Sequence, residues 1–259
     1  MRVISLGCGV QSFALAAMSA LGELPPVDAA IHADTAHERR ETYEFAAKWT
    51  PWLEERGVRV VTVKAPPEIT DLVVGVTPPF HTAGTRGNGM LRRTCTDRWK
   101  IRPMHQWIRA QLKARGIVKT PGVVDQCIGI TLDEWTRMRT SPVKWANLLY
   151  PFMEELDRPW TRGMVMRWLR DNDLEIPVKS ACVFCPFHDL ESWREIKMSG
   201  NGDWEKAVEA DRAIRSKRPG YQCFVHPARI PLDQVDLRNE QDHGQLELWG
   251  EECTGNCFL

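Results

Sequence analysis

No run of 18 apolar residues occurs anywhere in the 259-residue chain, so no segment is long enough to cross a bilayer as a helix. The first residues do not read as a signal peptide. Met1-Arg2-Val3-Ile4-Ser5-Leu6 carries one basic residue and turns glycine-rich at once, which reads as a buried first strand. There is no excess charge of either sign: 34 basic residues face 34 acidic ones, which excludes a chain that grips nucleic acid over its whole surface. Cysteine is sparse. Eight in a chain of this length are too few for a disulfide scaffold, and clustered cysteines without a leader suggest metal or redox chemistry in the cytoplasm. Internal repeats, low-complexity tracts, a Walker A Gly-Lys-Ser/Thr and a G-x-G-x-x-G fingerprint are all missing.

What is present is ordinary globular composition, 43% hydrophobic and 26% charged, enough for one α/β core with a smaller appendage. Val3–Ser5 reads as a strand, and residues 11–21 read as a helix ending before Gly22. Ala29–His32 reads as a second strand. Residues 41–56 place Phe45, Trp49, Trp52 and Leu53 on one helical face, and Val58–Val63 reads as a third strand. That rhythm is the one of a parallel sheet covered on both faces. Residues 66–94 lack periodicity and read as a long functional loop. A helix over 97–113 with Pro103 in its first turn, a fourth strand over 125–130, and helices over 161–169, 190–198 and 204–216 follow, then a polar tail. The spacing divides the chain into an α/β nucleotide-binding domain, 1–150, and a helical, cysteine-containing region, 151–259.

Three motifs bear chemistry. Ser5-Leu6-Gly7-Cys8-Gly9-Val10-Gln11-Ser12 joins a strand to a helix, where glycines let backbone N–H groups approach an anion at the positive end of the helix. A plain tight turn is the alternative. Asp34-Thr35-Ala36-His37-Glu38 follows the second strand, at the strand ends where open α/β sheets bind ligands. Its alternative is a helix cap by Asp34 or Thr35 completed by Glu38. Glu134-Trp135-Thr136-Arg137 offers an arginine to a phosphate or to Glu134.

In this order the motifs resemble the PP-loop superfamily, specifically its phosphoadenosine-phosphosulfate reductase-like branch. The loop there is Ser-Gly-Gly-x-Asp-Ser; Gly9 and Ser12 match, Cys8 stands for the first glycine and Gln11 replaces the aspartate. The resemblance covers roughly residues 1–235. Val225-His226-Pro227-Ala228-Arg229 is similar to a segment of phage-type members. It implies a five-stranded parallel Rossmann-like sheet with helices on both faces and a helical cysteine region after it. It also implies a nucleotide site at Ser5, Gly7, Gly9, Gln11, Ser12, Asp34, Thr35, Glu38 and Arg137, with ATP or a sulfonucleotide as ligand and magnesium as an accompanying ion.

Cys182-x-x-Cys185-Pro186 and Cys95, in Arg93-Thr94-Cys95-Thr96, resemble the spacing of cluster-binding relatives. They imply a [4Fe-4S] cluster on Cys95, Cys182 and Cys185, with Cys253 or Cys257 as fourth ligand; zinc on the same thiols is the alternative. Cys127 and Cys223 read as inert buried thiols, Cys8 as packing, and His188 as an outside ligand. Three functions stay open. One is ATP-dependent adenylation and sulfur transfer to a nucleobase or nucleic acid, with the basic run Arg86–Arg102 offering a face to tRNA or DNA. A sulfonucleotide reductase using Cys253 is another, and a non-catalytic nucleotide-binding module is the last. A homodimer is an open arrangement.

Overall fold

The computed structural model describes residues 1–76, 78–85 and 87–238. The elements run β1 (Arg2–Leu6), α1 (Val10–Ala20), β2 (Ala29–Asp34), α2 (Arg40–Glu55), β3 (Val60–Lys64), α3 (Pro67–Thr70), β4 (His81–Gly84) and β5 (Gly89–Met90). A π-helical turn over Thr96–Ile101 leads into α4 (Arg102–Ala114). Next come β6 (Val124–Cys127), a 3-10 turn over Leu132–Arg137, β7 (Ala146–Leu149), α5 (Pro151–Glu154) and α6 (Arg162–Asp171). The chain continues through α7 (Leu190–Met198), α8 (Asp203–Ala213), β8 (Tyr221–Phe224) and a 3-10 turn, Leu232–Gln234. No described helix is long and apolar enough to cross a membrane.

Contacts divide the chain into two units: residues 1–79 with 90–183, and residues 80–89 with 184 onward. The first unit holds a five-stranded sheet in the order β3-β2-β1-β6-β7, with all four neighbouring pairs parallel. This is the α/β fold class expected from the sequence. Strand alternation explains the two covered faces. Ile4, Leu6, Ala30 and Cys127 pack with Phe13 of α1, Phe45 and Trp49 of α2, and Val165 and Leu169 of α6. Val3, Ala29, Ile31, Val124 and Ala146 face the other way, against Met104, Ile108 and Leu112 of α4. Burial of a side chain such as Phe13 contributes roughly 1.5–3 kcal/mol.

Strand order also locates the site. From β1 the chain steps outward through β2 and β3, then crosses to β6 on β1's other side. The connections therefore diverge between β1 and β6, and the crevice at their carboxyl ends is where open α/β sheets take ligands.

Differences from the sequence expectation are local. β7 has no signature of its own in the sequence, since Ala-Asn-Leu-Leu is short and has no alternating pattern; it exists by pairing with β6, Val124 against Ala146 to Cys127 against Leu149. The helix read from residue 97 is two pieces. Pro103 occupies the first turn of α4, and the preceding turn closes with the wider bond from Arg102 N–H to Asp97 carbonyl. The loop read over 66–94 contains α3, β4 and β5. The division expected at residue 150 falls at 183 instead, because α6 buries Val165 and Leu169 in the first unit's core.

The second unit is not purely helical. Besides α7 and α8 it contains the antiparallel pair β4–β8, His81 against Phe224 to Gly84 against Tyr221. Trp193 is fully buried, its ring 4.9 Å from that of His188 and 6.2 Å from that of His226. Asp211 ties the later segments down, accepting from Val225 N–H at 2.9 Å and Leu232 N–H at 3.2 Å.

Candidate functional site

The turn after β1 is held by one serine. Ser12 Oγ accepts the Gly7 N–H at 3.0 Å and donates to the Gly9 carbonyl at 3.2 Å. Cys8 adopts a left-handed backbone with φ of 54°, a conformation for which glycine is the usual choice, so a cysteine here pays strain for its buried thiol. That thiol lies 3.5 Å from His32 Nδ1, and burial pushes its pKa up to about 12. Packing, as expected, is its role in this structure.

Gly9 is the N-cap of α1 and supplies no side-chain cap, and the first turn holds no acid. The leading N–H groups of an α-helix have no acceptor within the helix. Those of Val10, Gln11 and Ser12 therefore face the crevice, with the positive end of the helix behind them. Gly129, beyond β6, lets a second backbone segment close on this turn: a Cβ there would sit 2.9 Å from Gln11 C, Gln11 Cβ and Ser12 N.

Two cavities meet at the loop. The larger, about 580 Å³, is lined by Gly7, Gly9, Gln11 and Ser12, and by Lys100, Gly129, Glu134, Arg137, Arg162, Lys179 and Ser180. Its walls carry four cations and a single acid. The smaller, about 190 Å³, is more apolar; Ser5, Gly7, His32, Glu38, Lys100, Met104, His105, Ile128, Arg139 and Leu148 are among its lining residues. Gly7 and Lys100 line both.

At that junction Glu38 is buried and accepts from Lys100 Nζ at 3.1 Å, Thr35 Oγ1 at 3.3 Å and Ser180 Oγ at 3.4 Å. Burial pulls the Lys100 ammonium down, but the Glu38 carboxylate and the Cys182 and Cys95 thiols outweigh it and leave the pKa raised. Glu38 and Cys182 also form a backbone bridge, and Thr35 Oγ1 lies 3.4 Å from Cys182 Sγ. Two thiols thus sit in the field of one lysine.

Of the residues expected from the sequence, Gly7, Gly9, Gln11, Ser12 and Arg137 line the larger cavity, and Ser5, Gly7 and Glu38 the smaller. Asp34 and Thr35 line neither. Burial pushes the Asp34 pKa up, but hydrogen bonds from Lys64 (2.8 Å), the Ala36 N–H (2.8 Å) and Tyr43 (2.8 Å) outweigh it and leave it lowered. The capping alternative for this motif fails: α2 starts at Arg40 behind Arg39, with no side-chain cap. Arg137 pairs with Glu134. Sequence reasoning missed Arg162, Lys179, Arg139 and His105, whose only signals are basic or aromatic character at element ends.

The expected metal centre lies only partly within the described residues. Among the described residues no three of His, Cys, Asp or Glu gather where one metal ion could be held. Cys95 and Cys182 belong to the first unit and Cys185 to the second, while Cys253 and Cys257 lie outside the described residues. The basic run is partly neutralised as well: Arg102 and Arg98 both reach Asp97, at 2.9 and 3.6 Å, Lys100 is committed to Glu38, and Arg86 lies outside the described residues.

No protein-family model matches the chain, and no curated protein matches it. Among solved structures it is similar to the phosphate complex of a phosphoadenylyl-sulfate (PAPS) reductase from Candida auris, with a TM-score of 0.42 and 11% identity over 68% of this chain and 74% of that one. At that level of likeness no residue role carries across.

Proposed function

We propose that this chain is a PP-loop enzyme that binds ATP in the crevice between β1 and β6 and transfers its adenylyl group to an acceptor, ahead of a sulfur-transfer step. The observation that carries the reading is the pair of cavities joined at Gly7 and Lys100. The cationic one, opening on the uncapped start of α1, suits the phosphates; the more apolar one suits the nucleoside. The α-phosphate then falls at the junction, beside Lys100.

An acceptor oxygen attacks the α-phosphorus, the bond to the bridging oxygen breaks, and pyrophosphate leaves with the electron pair. The α1 N–H groups, Arg137 and Arg162 take up the charge growing on that leaving group. Lys100, kept cationic by Glu38, neutralises the α-phosphate as the nucleophile approaches. An external persulfide donor then passes its outer sulfur to Cys95 or Cys182. That persulfide attacks the activated carbon, and AMP leaves with the bonding electron pair. The second thiol in the field of Lys100 cleaves the resulting disulfide, which releases the thiolated acceptor and leaves a Cys95–Cys182 disulfide for an external reductant. No step is routed through an iron–sulfur or zinc centre.

Pyrophosphate release from ATP, in the presence of candidate nucleobase or nucleic-acid acceptors, tests the reading. Sulfite release from a sulfonucleotide with no pyrophosphate from ATP would replace it with the reductase reading. Binding without any turnover would leave a nucleotide-binding module.

A further inference from the structure

Gln11 sits in the first turn of α1 with both ends of its carboxamide engaged. Its Nε2 donates to Glu134 Oε2 at 3.2 Å, and its Oε1 accepts from Arg162 at 3.0 Å. Only a group that donates at one end and accepts at the other can span a carboxylate and a guanidinium in this way. A carboxylate at position 11 would repel Glu134 and pair with Arg162.

The charges on the cavity wall follow from that. Glu134 is balanced by Arg137, and Lys100 by Glu38. No carboxylate among the described residues pairs with the Arg162 guanidinium, which donates instead to the neutral Gln11. Its own backbone N–H is anchored on Asp133, and Thr161 caps α6 by accepting the Met164 N–H at 3.3 Å, so the side chain leaves a fixed point. Arg162 is thus a positioned, uncompensated cation on the wall of a cavity of about 580 Å³, linked through Gln11 to the helix start where the phosphates beyond the first would rest.

We infer that Arg162, oriented by Gln11, is the residue by which this site distinguishes an extended phosphate chain from a single phosphate. The inference rests on the nucleotide reading above and adds its selectivity: nucleoside triphosphates and diphosphates over monophosphates. A phosphate beyond the first meets the α1 N–H groups and Arg162, the latter in a charge-assisted hydrogen bond, whereas a monophosphate is satisfied at the junction beside Lys100. The Gln11 side chain is a positioning group and touches no ligand in this account, whereas its backbone N–H belongs to the phosphate-facing set.

The test is calorimetric titration of ATP, ADP, AMP and inorganic pyrophosphate into the wild-type chain and into Arg162→Met, Arg162→Lys and Gln11→Glu. Loss of one charge-assisted hydrogen bond predicts that ATP and pyrophosphate weaken by about 10- to 100-fold in Arg162→Met while AMP changes by less than about threefold. Gln11→Glu, which leaves Arg162 in place but neutralises it, should lower the ATP-to-AMP affinity ratio in the same direction, and Arg162→Lys should retain part of it. If Arg162→Met fails to fold, Gln11→Glu carries the test. Equal weakening of ATP and AMP, or an unchanged ratio in Gln11→Glu, overturns the inference while leaving nucleotide binding intact. A wild-type chain that binds no nucleotide overturns both.

Discussion

Replacing Gly129 by alanine is the sharpest structural perturbation the site offers. The added Cβ would lie 2.9 Å from Gln11 C, Gln11 Cβ and Ser12 N. Comfortable carbon contacts begin near 3.5 Å, so the two segments must separate by roughly 0.6 Å, and two of the three atoms met are backbone and have no rotamer to yield. Overpacking of this kind costs about 1–3 kcal/mol. The separation also moves the first turn of α1, whose N–H groups are the proposed phosphate ligands, so ATP affinity should fall with stability. Gly9 gives the contrast, although it looks the more critical glycine in sequence. Its φ is −99°, and a Cβ there would meet Ser180 Cβ at 3.5 Å, an ordinary contact. Chemical denaturation of both variants is the assay. Gly129→Ala should lose about 1–3 kcal/mol and Gly9→Ala less than about 0.5 kcal/mol. Equal stabilities for Gly129→Ala and the wild type, or the reverse order of the two variants, would refute the close-approach argument.

Other outcomes follow from buried charge and thiol chemistry. Cys8 and Cys127 both have thiols pushed up to about 12 by burial, so mass-mapped alkylation of the folded chain near neutral pH should modify neither; rapid labelling of either would contradict the packing. Lys100→Met strands the buried Glu38 carboxylate and should destabilise by about 1–3 kcal/mol, discounted for the partial exposure of the lysine, while adding Glu38→Gln should recover part of the loss in a double-mutant cycle. His81 and His226 in the second unit are pulled below the ordinary value of 6.5, mainly by burial, with Arg229 opposing charge on the first and His81 on the second. The unfolded chain therefore binds the more protons just below that value, so their contribution to stability is present above pH 6.5 and is lost as pH falls through the lowered folded values. Denaturation midpoints should drop between pH 7.5 and 5.5, and less steeply in His226→Gln; an identical slope would argue against it.

The parallel sheet was readable because each of its first three strands is a short apolar run between helical periods, and local pattern alone decides such elements. β7 was not, since four residues with no alternation become a strand only by lying beside β6. The glycine turn after β1 was legible for the same local reason: strand, glycines and helix lie within eleven residues. What surrounds it was hidden by distance. Gln11 meets Glu134 and Arg162 across sequence separations of 123 and 151. Asp34 shows the opposite failure. Its motif suggested a ligand group, yet Lys64 and Tyr43 fold back onto the carboxylate and engage it. The antiparallel pair of the second unit joins Gly84 to Tyr221 in register, which neither segment announces by itself.

Amide resonances of Val10, Gln11 and Ser12, followed by nitrogen–proton correlation spectra during an ATP titration, test the central claim most directly. The account predicts that these three move together and saturate with the calorimetric affinity. ATP binding that leaves them unmoved while shifting residues elsewhere, or no binding at all, would contradict it.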